Sequence, residues 1–279
     1  MYEIVGRKSM GEGIDLYNIL APDIASKALP GQFIILRVHE KGERIPITIA
    51  KTDKNDGTIT ILVQTLGKTT HILSESNIGD NLADVVGPLG VPTEIEQFGT
   101  VVCIGGGFGI AAIYPIAKGL KESGNKVISI IGARSKNLLL MEDEMRSVST
   151  ELLIATNDGS YGTKGIVTDV LKELIYGKKE SINRVIAIGP VIMMKAVSDL
   201  TRDKSIKTIV SLNPIMIDGT GMCGACRVLV DGKTKFACVD GPDFDGHKVD
   251  FDNLMNRLKF YKEEERASYE CHTKEHHHS

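Results

Sequence analysis

Four short apolar runs, each followed by helix-like sequence, constrain the middle of this chain more than any other feature. "TVVCIGGG" begins at Thr100, and "NKVISIIGA", "ELLIATNDG" and "NRVIAIGP" follow it. Strands alternating with helices predict a parallel α/β sheet, with ligands at the carboxyl ends of the strands. Residues 1–98 read differently. "YEIVGRK", "IDLYNILA", "QFIILRV", "IPITIAKTD" and "TITILVQTL" are short apolar or alternating runs divided by "APD", "LPGQ" and "KNDGT", the pattern of a small antiparallel barrel or sandwich. A final stretch is helical by the spacing of Phe251, Leu254, Met255 and Leu258, and then becomes strongly charged. Its apolar face is expected to pack on the parent protein. The boundaries expected are therefore 1–98, 99–210, 211–250 and 251–279.

Glycine marks the strand ends. In "CIGGGFGIAA", Gly107, Gly109 and Ala112 satisfy G-x-G-x-x-A, so backbone N–H groups at a helix start can approach a pyrophosphate. The same residues also suit a tight strand–helix turn that needs glycine for geometry alone. The next strand ends in "IIGARSK", with Arg134 where an acidic ribose-binding residue is expected, so this is not the standard dinucleotide pattern. "TNDGSYGTKG" carries Asp158, Gly159 and Lys164 after the third strand, and "IGPVIMMKAV" places Gly189 and Pro190 after the fourth. Three such loops at one sheet edge point to a dinucleotide crevice.

Two stretches of the β half suit phosphate. In "GERIPITIA", Arg44, Pro46 and Thr48 share one face if all lie in a strand. A guanidinium there can donate two parallel hydrogen bonds to phosphate, although a lone edge-strand arginine has the same appearance. "TLGKTTHIL" places Gly67, Lys68, Thr69 and Thr70 at a helix start, either as a second phosphate element or as simple threonine capping.

Three of the five cysteines are clustered as Cys223-x2-Cys226-x11-Cys238, with Asp218 five positions before the first. "CRVLVDGKTKFAC" reads as a hairpin turning at Asp231-Gly232, which returns Cys238 to the other two. Zinc held by three thiolates and a carboxylate fits the spacing. A [2Fe–2S] cluster with Asp218 as fourth ligand fits better beside modules suited to redox nucleotides. Cys103 reads as a core residue and Cys271 as a tail residue outside the cluster. An odd, clustered set of cysteines fits poorly with a secreted disulfide framework. The start of the chain has no signal-peptide core, which points to the cytoplasm. With 42% hydrophobic residues, 25% charged residues and a net charge of −3, nothing suggests a nucleic-acid surface or a membrane span. The terminal "HHHS" is set aside from fold reasoning.

A β module, a nucleotide module and a C-terminal cluster, in that order, resemble the ferredoxin–NADP reductase superfamily over nearly the whole chain, to about residue 250. "RIPIT" is similar to its flavin motif, "GKTT" to its second FAD-phosphate element and "GGGFGIA" to its nicotinamide-nucleotide loop. The fold implied is an antiparallel flavin-binding barrel, a parallel-sheet NAD(P)-binding domain and a small [2Fe–2S] subdomain before the tail. The FAD contacts implied are Arg44, Pro46, Ile47, Thr48, Val63, Gln64, Gly67, Lys68, Thr69 and Thr70. Those to NAD(H) are Gly106, Gly107, Phe108, Gly109, Arg134, Asp158, Gly159, Gly189 and Pro190. Asp218, Cys223, Cys226 and Cys238 would hold the cluster. Within the superfamily the chain resembles dihydroorotate dehydrogenase electron-transfer subunits, sulfide dehydrogenase small subunits and the small subunits of electron-bifurcating NADH-dependent ferredoxin:NADP oxidoreductases. Aspartate at 218 favours the last group, because dihydroorotate partners usually carry cysteine there. The resemblance implies relay of electrons from NADH through FAD and the cluster to a larger flavin and iron–sulfur subunit, and indirectly to ferredoxin. A stand-alone reductase and a non-catalytic, zinc-containing nucleotide module are the competing expectations. NAD is favoured over NADP by resemblance only.

Overall fold

In the computed structural model, which describes residues 2–11 and 13–276, the runs from Thr100 onward build one seven-stranded sheet. Its order is Thr163–Lys164, Glu151–Thr156, Lys126–Ala133, Thr100–Gly106, Arg184–Ile188, Lys207–Ser211 and Asp243–Asp245. The first six strands are parallel and the last is antiparallel. Val101, Val102, Cys103 and Ile104 are fully buried. A central parallel strand covered on both faces needs such an unbroken apolar run. Helix Gly109–Glu122 buries Ile110, Ile113, Ile116, Ala117 and Leu120, one stripe at helical spacing. The winding runs outward from Thr100–Gly106 and then crosses back to Arg184–Ile188. The strand order thus reverses between these two neighbours, and the crevice of such a sheet opens at that reversal.

The N-terminal half forms two antiparallel sheets. One has the order Lys51–Asp53, Thr58–Gln64, Ile14–Leu20, Tyr2–Gly11 and Asn81–Leu82; the other has Ile45–Thr48, Phe33–Arg37 and Asp84–Leu89. Ile4, Tyr17, Ile19, Ile34, Leu36, Ile59, Ile61 and Val63 pack together between them. Alternation along Thr58–Gln64 sends Ile59, Ile61 and Val63 into that core, while Leu62 packs with the α/β half.

Residues 211–250, expected as a subdomain, hold the hairpin Arg227–Val230 and Lys233–Phe236 and a further short strand. Asp243–Asp245 is the seventh strand of the large sheet. It is too short to carry a periodic signal, so only its pairing reveals it. Cys226, Val228, Ala237 and Cys238 join one core with Ile104 and Val102 of the sheet and with Phe33 and Ile35 of the β half. The tail expected at 251–279 holds two helices among the described residues. Helix Phe251–Arg257 buries Phe251 and Leu254 in that core. Helix Lys262–His276 instead packs on helix Lys68–Ser74 of the β half. The terminal histidine run set aside above falls mostly at 277–279, outside the described residues.

The link between the halves is fastened along its length. Thr93 donates to Asp243 at 2.7 Å, and the buried Arg184 donates to Glu94 at 2.7 Å while stacking on Phe98. Asn125 accepts the backbone N–H groups of Phe98 and Gly99. These contacts fix how the two halves face each other across the crevice.

Candidate functional site

The centre of the α/β wall of the crevice is made of glycine backbone. Gly107 adopts φ +53°, in the left-handed region, and its N–H donates to the Gly132 carbonyl at 2.9 Å. A β-carbon on Gly109 would strike the Ile188 carbonyl, and one on Gly106 would strike the Met193 sulfur. The loop therefore lies directly against Gly189 and Pro190 of the neighbouring strand end. Among the described residues, no side chain caps the helix that begins at Gly109; the Ile110 and Ala111 N–H groups donate to the Gly107 and Phe108 carbonyls, which leaves those of Phe108 and Gly109 at the crevice.

Between this wall and the β half lies a cleft of about 720 Å³, within the range of small-molecule sites. Gly106, Gly107, Phe108, Gly109, Arg134, Gly189 and Pro190 line one side, and Pro46, Ile47, Thr48, Leu62, Gln64 and Leu66 the other. A smaller cavity of about 120 Å³ shares Pro46, Thr48, Ser211 and Asn213 with the cleft and continues to Pro214, Met216 and Pro242. It thus points from the cleft toward the cysteine segment.

Several expected residues lie elsewhere. Strand Ile45–Thr48 begins one residue after Arg44, whose exposed guanidinium donates to Asp84 at 3.0 Å rather than lining the cleft. Val63 is turned into the barrel core by strand alternation, between the cleft-facing Leu62 and Gln64. In the "GKTT" turn, Thr70 Oγ1 accepts the N–H groups of Leu66 and Gly67, each at 3.0 Å, and donates to the Gly67 carbonyl. Thr69 is buried and donates to Glu43 at 3.0 Å. The Thr70 hydroxyl thus completes the turn and the Thr69 hydroxyl ties it to Glu43, while Lys68 lines a separate small pocket with His39 and Glu43. Asp158 accepts the Ser160 hydroxyl and N–H, which hold its carboxyl below the usual range. Gly159 takes φ +76° in the same turn. That turn sits beside Arg134, because the Asp158 N–H donates to the Arg134 carbonyl, but it does not line the cleft.

The cysteine segment is a loop on a hairpin. Strands Arg227–Val230 and Lys233–Phe236 pair antiparallel, and Asp231 and Gly232 both take positive φ, as a two-residue turn of this kind requires. The pairing sets Cys226 beside Cys238, their sulfurs 3.1 Å apart and both buried. Burial, with the Cys226 thiol alongside, pushes the Cys238 thiol up to about 12. Gly219, Gly221 and Gly224 take left-handed φ and curl the loop around these sulfurs. Asp218 accepts the Thr220 N–H at 2.8 Å and the Cys223 N–H at 2.7 Å, which hold its carboxyl below the usual range. Cys223 is exposed at the loop surface. Two adjoining buried thiolates repel each other, so a multiply charged thiolate-binding centre is what would hold both deprotonated. Cys226 and Cys238, the latter on the short helix Ala237–Asp240 after the hairpin, are brought together, whereas Asp218 and Cys223 do not join them within 4.8 Å. Three thiols and a carboxylate are the donor types of an iron–sulfur cluster or a zinc ion. Cys103 stands apart: full burial pushes its thiol up to about 12, as befits a core residue.

Residues 213–250 match the family of the iron–sulfur cluster binding domain of dihydroorotate dehydrogenase B. The chain is 51% identical over 268 residues to a dihydroorotate dehydrogenase B electron-transfer subunit homolog of Thermotoga maritima, covering 96% of this chain and 94% of the relative. The chain belongs to the family of dihydroorotate dehydrogenase B electron-transfer subunits and their homologues. A family member of Desulforamulus reducens is 34% identical over 237 residues, covering 82% of this chain and 89% of its own. A solved structure of an NADH-dependent reduced ferredoxin-NADP oxidoreductase, studied for flavin-based electron bifurcation, superposes with a TM-score of 0.92 at 49% identity. That likeness covers 98% of both chains. The fold is that of the ferredoxin–NADP reductases, as the resemblance implies. Among the described residues, no helix is long and apolar enough to cross a membrane.

In this member of the family, sequence reasoning missed Ile14, Leu62, Leu66, Leu138, Leu140, Ile188, Ser211 and Asn213 as lining of the cleft. For Leu62 the signal was present: it shares a strand face with Gln64. Ser211 and Asn213 carry no motif. They matter because the chain leaves the sheet there and enters the cysteine segment.

Proposed function

We propose that the chain is the FAD- and [2Fe–2S]-containing electron-transfer subunit of an NADH-dependent ferredoxin:NADP oxidoreductase. In this reading it exchanges hydride with NAD(H) and passes electrons to a larger flavin and iron–sulfur subunit. The observation that carries it is the continuous path from the glycine-walled cleft, past Ser211 and Asn213, toward the cysteine loop. The bound flavin supplies conversion between hydride and single electrons, and the cluster supplies single-electron relay.

The chain's own residues bind and orient. The N–H groups of Phe108 and Gly109 and the Arg134 guanidinium meet the anionic part of the dinucleotide. Pro46, Ile47 and Thr48, with Leu62 and Gln64, form the surface against which the flavin ring lies. Arg44 reaches the FAD pyrophosphate by exchanging its exposed partner Asp84, and Gly67–Thr70 contribute a backbone turn. Asp158 and Gly159 act by supporting the Arg134 loop. Asp218, Cys223, Cys226 and Cys238 hold the cluster. The setting is cytoplasmic, and ferredoxin is reached through the larger subunit.

A second reading, the electron-transfer subunit of a dihydroorotate dehydrogenase, draws support from the match at 213–250 and from the 34% identical relative. Asp218 is the residue that favours the first. Anaerobic titration of the purified chain with NADH, alongside iron, zinc and sulfide analysis, tests the proposal. Flavin bleaching with two irons and two sulfides per chain is expected. A colourless protein with one zinc overturns it in favour of a nucleotide-binding module. Asp218→Cys is expected to keep a cluster and change its potential; an unchanged potential and spectrum remove Asp218 from the ligand set.

A further inference from the structure

Helix Lys262–His276 is an odd element to find docked. Its sequence, "KEEERASYECHTKEH", is nearly all polar, and its buried residue among those described is His272, only 8% exposed. Apolar burial therefore contributes little to its attachment, and seating an imidazole at a helix contact costs free energy unless strong polar interactions offset it.

His272 meets a complementary pair. His71 and Glu75 lie one turn apart at the end of helix Lys68–Ser74. Their side chains therefore project from the same face. His71 Nδ1 is buried, makes no hydrogen bond among the described residues, and stands 3.6 Å from Glu75 Oε1. The His71 and His272 rings are 5.6 Å apart and nearly perpendicular, with Tyr269 edge-on to His71 at 5.8 Å. One ligand atom from each of His71, Glu75 and His272 lies within 4.8 Å of the other two. Ligands on a tetrahedral zinc ion, each about 2.0–2.1 Å from it, stand roughly 3.4 Å apart. The His71–Glu75 edge, at 3.6 Å, is close to that length, and the other two are no longer than 4.8 Å.

We infer that His71, Glu75 and His272 form a zinc-type site that clips the C-terminal helix onto the β half. Two imidazoles and a carboxylate are borderline donors, suited to zinc and its first-row neighbours rather than to calcium, magnesium or copper(I). None of the three lines the nucleotide cleft, so the ion's role is to tether the helix, with a directly bound water completing the four-coordinate shell that three protein ligands leave open. The site is independent of the cysteine loop and of the function proposed above.

The test is equilibrium binding of Zn²⁺ alone to the full-length chain with its cofactors in place, in a background carrying His276→Ala, His277→Ala and His278→Ala so that the terminal histidine run cannot contribute. Zinc taken up by the cysteines is a constant offset across the variants, so the differences between them report this site. One equivalent is expected in that background. Its affinity should fall in His71→Ala and His272→Ala by more than the 10–100-fold that outer-shell changes cost, and in Glu75→Gln by about tenfold or more. Glu75 is half exposed, so its variant reports even if His71→Ala folds poorly. Zinc should also slow tryptic cleavage at Lys262, Arg266 and Lys274 in the background but not in the site variants. Equal zinc binding in all of them, or loss of the equivalent on removing the terminal run, overturns the inference.

Discussion

The two walls of the cleft are built from different materials. The α/β wall is backbone at its centre, with a left-handed Gly107 and two glycines whose missing β-carbons let strand and helix ends touch, flanked by Phe108, Arg134 and Pro190. The β-half wall is side chains: Pro46 and Thr48 on one strand, Leu62 and Gln64 on another. A backbone wall leaves no room for added atoms at Gly106 and Gly109 and presents N–H groups to an anionic ligand. A side-chain wall can be retuned residue by residue, but it depends on strand register.

The sharpest way to break this contrast is Gly109→Ala. The added methyl meets the Ile188 backbone, which cannot swing aside as a side chain could. A loss of about 3 kcal/mol is expected, with NADH-dependent flavin reduction slowed by more than about tenfold. Thermal melts and stopped-flow reduction read the two effects; a variant that melts and reduces like the parent removes the close approach as the reason for glycine.

Neighbouring residues on one strand sharpen the other wall. Val63→Ala should cost about 2 kcal/mol while flavin affinity stays constant, since that side chain fills the barrel core. Gln64→Ala should change stability by less than about 0.5 kcal/mol yet weaken flavin binding several-fold. Reversal of that pattern in chemical denaturation and flavin titration would mean that the register is wrong. Arg44→Ala tests the wall's rim. Its exposed pairing with Asp84 contributes within about 0.5 kcal/mol, so stability should barely move while FAD content of the purified protein falls. Full flavin occupancy would remove Arg44 from the site.

The smallest effect on the cofactors is expected where the walls are tied together. Hydrogen bonding from Arg184 holds the Glu94 carboxyl below its ordinary range. A lowered folded pKa contributes stability above the unfolded value, and that contribution is lost as pH falls through the folded one. Glu94 is half exposed, so Glu94→Gln should cost below about 1 kcal/mol at neutral pH. The gap between parent and variant should close on acidification; a pH-independent gap assigns the loss to packing.

Legibility follows the same division. "CIGGGFGIAA" announced its loop because a tight turn and a close helix approach need glycine at fixed spacing. "CRVLVDGKTKFAC" announced its hairpin because Asp-Gly supplies two adjacent positive-φ residues. Arg44, Val63 and the two threonines of "GKTT" were harder, because a motif names residues without saying which way each one points. Strand alternation turned Val63 inward, and the turn's own N–H groups engaged the Thr70 hydroxyl.

By itself the sequence determined the α/β alternation, the glycine turns and the cysteine spacing. Each is a relation among residues a few positions apart, and local backbone geometry fixes such relations. Tertiary structure decided that Asp243–Asp245 joins the large sheet, that Ser211 and Asn213 bridge the cleft and the cysteine loop, and that His272 meets His71. Those contacts join surfaces distant along the chain, and no periodicity in either partner specifies the other.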